Sequence, residues 1–171
     1  MTGLEMSPFG ERWQPTEPVG EFGLWVKPAE SVSVTQVVIT SFGYLHAGPR
    51  ARAYETPMLT LDVRELFRDP HLRPELRELT GRDDAIRANV LDQPGAIEFV
   101  RAQAAAVAAL VPGLTRVGPQ ARVAEVAVGC AGGRHRSVVI AEALALVLQA
   151  QGIGSDVQHR DIRRPVVLRP R

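Results

Sequence analysis

The chain of 171 residues is long enough for one domain with a buried core. Hydrophobic residues make up 45% and charged residues 23% of the chain, and the net charge is +1 at pH 7. These values are ordinary for a globular domain, and they exclude a chain whose overall charge would draw it to nucleic acid or to a membrane surface.

Cysteine and histidine usage excludes several classes of site. Cys130 is the only cysteine, which excludes an internal disulfide and a multi-cysteine metal centre and favours a reducing compartment. The histidines lack metal-ligand spacing, and they are His46, His71, His135 and His159. We therefore expect neither a metal site nor a cofactor.

The N-terminus and the hydropathy of the chain predict its location. The first residues contain no basic region followed by an apolar one, as a signal peptide would. No uncharged apolar run reaches the roughly 18 residues that a spanning helix requires. We therefore expect a cytoplasmic protein without a membrane association.

Composition divides the chain into three regions. Residues 1–31 are rich in Pro, Gly and Glu and are expected to form an irregular N-terminal extension. Residues 32–162 carry regular hydrophobic periodicity and are expected to form the domain. Residues 163–171 form a basic tail in which every positive charge is an arginine.

Hydrophobic periodicity predicts strands alternating with helices. Short β-branched runs predict strands, and apolar residues at helical spacing predict helices. The strands are expected within 32–44, 57–66, 121–129 and 155–162, and the helices at about 83–91, within 94–113 and at 137–151, with Gly152 ending the last. This alternation predicts an α/β fold, a mainly parallel sheet with helices on its faces.

Polar residues follow each expected strand. Ligands of parallel sheets bind beyond the carboxyl ends of the strands, where these polar segments meet. Four segments are therefore expected to face one crevice, namely Ser41–Gly43, Asp62–Arg64, Cys130–Arg136 and His159–Arg160.

The stretch "GCAGGRHRS" joins the third strand to the last helix. The first N–H groups of a helix lack partners, and glycines let the backbone approach an anion closely. Arg134 and Arg136 would add charge-assisted hydrogen bonds, and Ser137 would cap the helix. The stretch therefore predicts an anion site, and the alternative is an ordinary turn with solvated arginines.

The same stretch has the C-x5-R-S spacing of the cysteine phosphatases, from Cys130 to Ser137. A thiol at a helix start beside arginine is a candidate nucleophile, and Asp69 would then serve as general acid. Gly129 stands where those enzymes commonly have His. Cysteine-dependent phosphatase chemistry is therefore the alternative to binding alone, for which no catalytic residue is assigned.

Several motifs together resemble the C-terminal domain of the RapZ family of RNase adapter proteins. They are "ITSFGY" at 39–44, "LDVREL" at 61–66, "RDPHLRPELRELTG" at 68–81, "VGCAGGRHRSVVIAEALA" at 128–145 and "QHRDI" at 158–162. The match spans roughly residues 34–162 with similar spacing. It implies an α/β fold similar to a subdomain of phosphofructokinase.

The resemblance implies a binding site for a phosphorylated metabolite, because the family's domain senses glucosamine-6-phosphate. The loop amides would hold the phosphate, Arg136 would neutralise it, and His71 would close the site from another loop. Ala131 stands where the family usually has Thr, so one hydroxyl contact differs. The implied ligand residues are Cys130, Ala131, Gly132, Gly133, Arg134, His135, Arg136, Ser137 and His71.

The resemblance also implies RNA binding and partner proteins. The family's domain binds small regulatory RNA and presents it to an endoribonuclease, so RNA, a partner nuclease or kinase and a homo-oligomer are expected. The family's lysine-rich RNA patch is absent, and the candidate substitutes are Arg160, Arg163, Arg164, Arg169 and Arg171. The family's N-terminal P-loop domain is also absent, so we expect a stand-alone domain that does not hydrolyse ATP.

Overall fold

A computed structural model describes residues 35–46, 58–114 and 123–166 of the chain. The expected extension at 1–31 and two of the tail arginines, Arg169 and Arg171, lie outside these described residues. The strands are β1 (Val37–Gly43), β2 (Leu59–Asp62), β3 (Ala124–Cys130) and β4 (Ser155–His159), and the helices are α1 (Asp84–Leu91), α2 (Ala96–Leu110) and α3 (Arg136–Ala150).

The four strands form one all-parallel sheet in the order β2-β3-β1-β4, which confirms the predicted α/β fold. Gly43 pairs with Cys130, so β1 and β3 end side by side. The connection from β1 leads to β2, at one edge of the sheet, whereas the connection from β3 leads to β4, at the other edge. The carboxyl ends of β1 and β3 therefore form the topological switch point, where open α/β sheets bind ligands.

Helix α3 is the central helix of the core. Ten of its 15 residues are buried, as expected for a helix that is apolar on every side. It packs against β1, β3 and β4, and α1 and α2 also pack against it. Alternate residues of β1 and β3 belong to the same cluster, among them Val37, Ile39, Val126 and Val128. This packing fixes the start of α3 at the carboxyl edge of the sheet.

The ends of the elements differ from the prediction by a few residues. Helix α2 begins at Ala96 rather than near Pro94, because Gly95 has a left-handed backbone (φ 82°) that a right-handed helix cannot continue. Helix α3 begins at Arg136, one residue early, and Gly152 (φ 79°) follows its end as predicted. Strand β4 ends at His159 rather than at residue 162, because the chain turns there.

One helical stretch, Ala96–Gly113, is long and apolar enough by composition to cross a membrane, with a mean hydropathy of 1.3. It also carries two charged residues, Glu98 and Arg101. Three of its residues, Val100, Ala104 and Val107, are fully buried in the core cluster. We therefore interpret the stretch as an amphipathic helix of the domain.

Candidate functional site

A crevice lies at the carboxyl edge of the sheet, beside the loop that joins β3 to α3. Its empty volume of about 510 Å³ includes space that is open to solvent. Seven of the nine ligand residues expected from sequence line it, whereas Gly133 and Ser137 do not. The lining residues are Leu45, Asp69, His71, Cys130, Ala131, Gly132, Arg134, His135, Arg136, Pro165 and Val166.

The glycines of the loop differ in what surrounds them. A Cβ atom on Gly43, at the end of β1, would lie 2.6 Å from the carbonyl carbon of Gly132. Gly133 has a left-handed backbone (φ 70°), and a Cβ atom there would lie 2.5 Å from the nitrogen of Gly43. A Cβ atom on Gly132 would instead meet nothing within 4 Å. Close packing of the loop on β1 therefore requires glycine at 43 and 133 but not at 132.

The backbone of the loop supplies hydrogen-bond donors. The N–H group of Gly133 donates to the Cys130 Sγ atom at 3.2 Å. Within the described part of the chain, the N–H groups of Gly132, Arg134, His135 and Arg136 have no hydrogen-bond acceptor. These donors lie at the positive end of the α3 dipole, so the loop has the donors and the electrostatic field that an anion requires.

Arg136 has another set of partners than the sequence suggested. Its side chain is 4% exposed, and its terminal nitrogens reach the segment after β2. Nη2 donates to Asp69 Oδ2 at 2.8 Å, and Nη1 donates to the carbonyl oxygens of Arg64 (2.7 Å), Leu66 (3.2 Å) and Phe67 (3.3 Å). Only Nε has no acceptor among the described residues. Arg136 therefore holds that segment against the crevice, and Asp69 compensates its charge.

The other two basic side chains of the loop also bind carbonyl oxygens. Arg134 donates to Leu79 (3.0 Å) and Arg164 (3.2 Å), and also to the carbonyl of Glu78. Because a carbonyl only accepts, His135 donates its Nε2 proton to Leu79 at 2.8 Å. Burial lowers the pKa of His135, so its ring is neutral near pH 7. These side chains tie neighbouring loops together around the crevice.

Cys130 has part of the surroundings of a phosphatase nucleophile. Its Sγ atom lies 3.2 Å from the Ser137 hydroxyl as well as from the Gly133 nitrogen. Ser137 thus contacts the thiol and does not cap α3 as expected, since it lies inside the first turn. Asp69 accepts from Arg136 and from the backbone of His71, and so orders the turn Pro70–Leu72.

Sequence reasoning missed the wall that Pro165 and Val166 form. The turn before it depends on Asp161, which is fully buried. Asp161 Oδ2 accepts from the Gly43 nitrogen at 2.8 Å and from Arg160 at 2.6 Å, and Oδ1 lies 3.0 Å from Arg164 Nε. Burial opposes ionisation, but the hydrogen bonds from Arg160 and Gly43 outweigh it and lower the pKa of Asp161. The sequence signal that could have indicated this turn is the position of Asp161 between Arg160 and the pair Arg163 and Arg164.

Three of the four segments expected at the crevice do not line it, and only Cys130–Arg136 does. The Ser41 hydroxyl is 2.8 Å from His159 Nδ1, and His159 Nε2 is 3.2 Å from Glu142 Oε1 on α3. Ser41 is fully buried, so this Ser-His-Glu chain has no access to a substrate and instead links β1, β4 and α3. Asp62 and Arg64 pair with each other, and neither lines the crevice.

The candidate RNA-binding arginines have different surroundings. Arg160 is half-buried and donates to Asp161 and to the carbonyls of Gly43 and His46. Arg163 is exposed, and Arg164 is exposed while pairing with Asp161. Arg160 is thus part of the fold, whereas Arg163 and Arg164 lie at the surface beside the crevice.

Comparison with known proteins shows what the chain is similar to. The family model of the RapZ C-terminal domain matches residues 35–163. A nucleotide-binding protein of Mycobacterium leprae is 42% identical over 139 residues, which cover 79% of this chain and 43% of the relative. A nucleotide-binding protein of Frankia alni is 44% identical over 126 residues, which cover 74% and 41%. The chain thus spans less than half the length of these relatives.

Proposed function

Because the chain belongs to the RapZ C-terminal domain family, we propose that it is a sensing and adapter domain that binds a phosphorylated metabolite, a sugar phosphate similar to glucosamine-6-phosphate, in the crevice. The observation that carries this proposal is the row of loop N–H groups without acceptors at the start of α3. They lie at the switch point of the sheet, where such ligands bind.

The geometry modifies the roles that the resemblance implied. The loop amides hold the phosphate, and His71 contacts the ligand from the opposite segment. Arg134 and Arg136 position the surrounding loops through carbonyl contacts without contacting the ligand, and Arg134, which has no acidic partner among the described residues, adds positive potential. Binding then depends on backbone donors, which select a ligand by its shape and its negative charge.

A ligand screen tests this proposal. Wild-type protein is heated separately with glucosamine-6-phosphate, glucosamine, inorganic phosphate and nucleotides. We expect the sugar phosphate to raise the Tm most, because a ligand that binds only the folded state stabilises that state. His71→Ala should reduce that shift, whereas Leu72→Ala, which changes the adjacent residue that is 74% exposed, should retain it. Equal Tm shifts in the two variants would show that His71 does not contact the ligand. The absence of a Tm shift with every ligand would refute the proposal.

The contacts of Cys130 favour phosphatase chemistry as the second candidate. An amide and a hydroxyl support the Sγ atom, as a nucleophilic thiol requires. The reaction also needs an arginine on the phosphoryl oxygens, yet the terminal nitrogens of Arg136 are bound to the segment after β2. We therefore favour binding. Hydrolysis of an aryl phosphate that disappears in Cys130→Ser would reverse this preference.

The name of the relatives suggests nucleotide binding, which we do not extend to this chain. The nucleotide-loop motif G-x-x-x-x-G-K-[ST] is missing from its sequence, whose only lysine is Lys27. The nucleotides in the ligand screen test this point directly. A cytoplasmic location, a homo-oligomer and a partner nuclease or kinase belong to the same proposal through the family.

RNA binding is the other half of the adapter function. The exposed arginine Arg163 and the tail residues Arg169 and Arg171 would contact phosphates. Replacing all three by alanine should weaken RNA binding and reduce the salt dependence by about 2 in the log–log slope, at about 0.7 for each single-strand contact. Arg101→Ala, on the exposed side of α2, is the matched control, and an unchanged slope in the triple variant would contradict RNA binding by the tail.

A further inference from the structure

The crevice has an apolar wall that belongs to the C-terminal part of the chain. Pro165 and Val166 line it together with Leu45, which follows β1. The polar part of the lining comes from the loop that joins β3 to α3, from Cys130 to Arg136. An anion in the crevice would therefore lie near both backbone donors and apolar side chains.

The turn that carries this wall is anchored in the fold. The carbonyl of Arg164 accepts from Arg134 Nη1 at 3.2 Å, and its amide donates to the Asp161 carbonyl at 3.0 Å. The Arg164 side chain also pairs with the buried Asp161 carboxylate. Arg134 thus joins the glycine-rich loop directly to the turn 161–166, so the polar and apolar parts of the lining are connected by a hydrogen bond.

We propose that the turn 161–166 is a positioning element of the binding site, which rests on the proposed function. Pro165 and Val166 cover the body of the bound sugar phosphate and exclude water beside the phosphate, which strengthens its hydrogen bonds with the loop amides. Ligand contacts also stabilise the turn, so occupancy of the crevice determines how firmly Arg163 and Arg164 are held.

The closing experiment is calorimetric titration with glucosamine-6-phosphate. Val166→Asp should weaken binding by about tenfold or more, because it adds a negative charge to the lining of an anion site, and the uncharged Val166→Asn should weaken it less. Ala106→Asp, an equal charge change on an exposed position of α2, is the control and should bind as wild type. Tm values of the ligand-free variants show whether each is folded.

Limited trypsin digestion supplies the reciprocal measurement. Arg163 is exposed in the turn, and saturating ligand should slow cleavage after it while cleavage after Arg101 on α2 is unchanged. If Val166→Asp binds the ligand as tightly as wild type, or if the ligand does not slow cleavage after Arg163, the positioning role is wrong. The proposed function is unaffected by either result. Absence of binding by wild type would overturn both.

Discussion

At the scale of single residues, adjacent glycines of the loop have different tasks. Gly133 needs its left-handed backbone and lies against the end of β1, whereas Gly132 faces open space in the crevice. A residue with a Cβ atom at a left-handed position costs about 1–2 kcal/mol, and the backbone contacts add to this.

We therefore predict that Gly133→Ala lowers the free energy of unfolding by about 2 kcal/mol or more. Gly132→Ala should stay within about 0.5 kcal/mol of wild type, since nothing is displaced. Urea denaturation of both variants measures the difference. Equal stabilities would contradict the close packing of the loop on β1.

Residue types alone indicated where the loop chemistry lies but not what each side chain contacts. Cysteine, glycines and arginines in one turn pointed to the crevice, and the structure places most of them there. The acceptors of Arg136 lie 67 to 72 positions earlier in the chain, so no local pattern reveals them. Its role in holding the segment after β2 therefore required the tertiary structure.

At the scale of elements, the turn after β4 closes the edge of the sheet through Asp161. Its carboxylate joins the end of β1 to the arginines of the turn. The pKa of Asp161 is lowered in the folded state, so its contribution to stability is present above the unfolded value of about 3.9 and is lost as the pH falls through the lower folded value.

We predict that Asp161→Asn lowers the free energy of unfolding at pH 7 by about 2 kcal/mol, because charge-assisted hydrogen bonds are removed. The difference from wild type should shrink below about pH 4, where the wild-type carboxylate is also protonated. Denaturation across pH 2.5–7, the range of that titration, measures this dependence. Asp156→Asn, exposed on β4, is the control, and a difference that does not change with pH would contradict the assignment.

The existence of the elements followed from periodicity, while their ends did not. The apolar stretch of β1 and the helical spacing of α2 depend on local pattern and were placed within a few residues. Gly95 determines where α2 begins, through a backbone conformation that periodicity does not reveal. The wall of Pro165 and Val166 depends on the turn around Asp161, which the sequence presented only as the end of a strand.

At the scale of the whole molecule, strand order determines where the site lies. Alternating strands and helices predicted a parallel sheet, but the order β2-β3-β1-β4 and its switch point come from pairings distant in sequence. The switch point brings the ends of β1 and β3 together, and α3 presents its start there. A stable sheet and one buried helix thus hold a set of backbone donors at a fixed position.

Calorimetric titration of glucosamine-6-phosphate into Gly132→Asp and Gly132→Ala tests whether the loop amides hold the phosphate. Position 132 has room for a Cβ atom, so both variants should fold, and circular dichroism checks this. We predict that Gly132→Asp abolishes binding, because its carboxylate repels the phosphate at the loop amides, whereas Gly132→Ala retains an affinity within about tenfold of wild type. Equal affinity in the aspartate and alanine variants would show that the anion binds elsewhere.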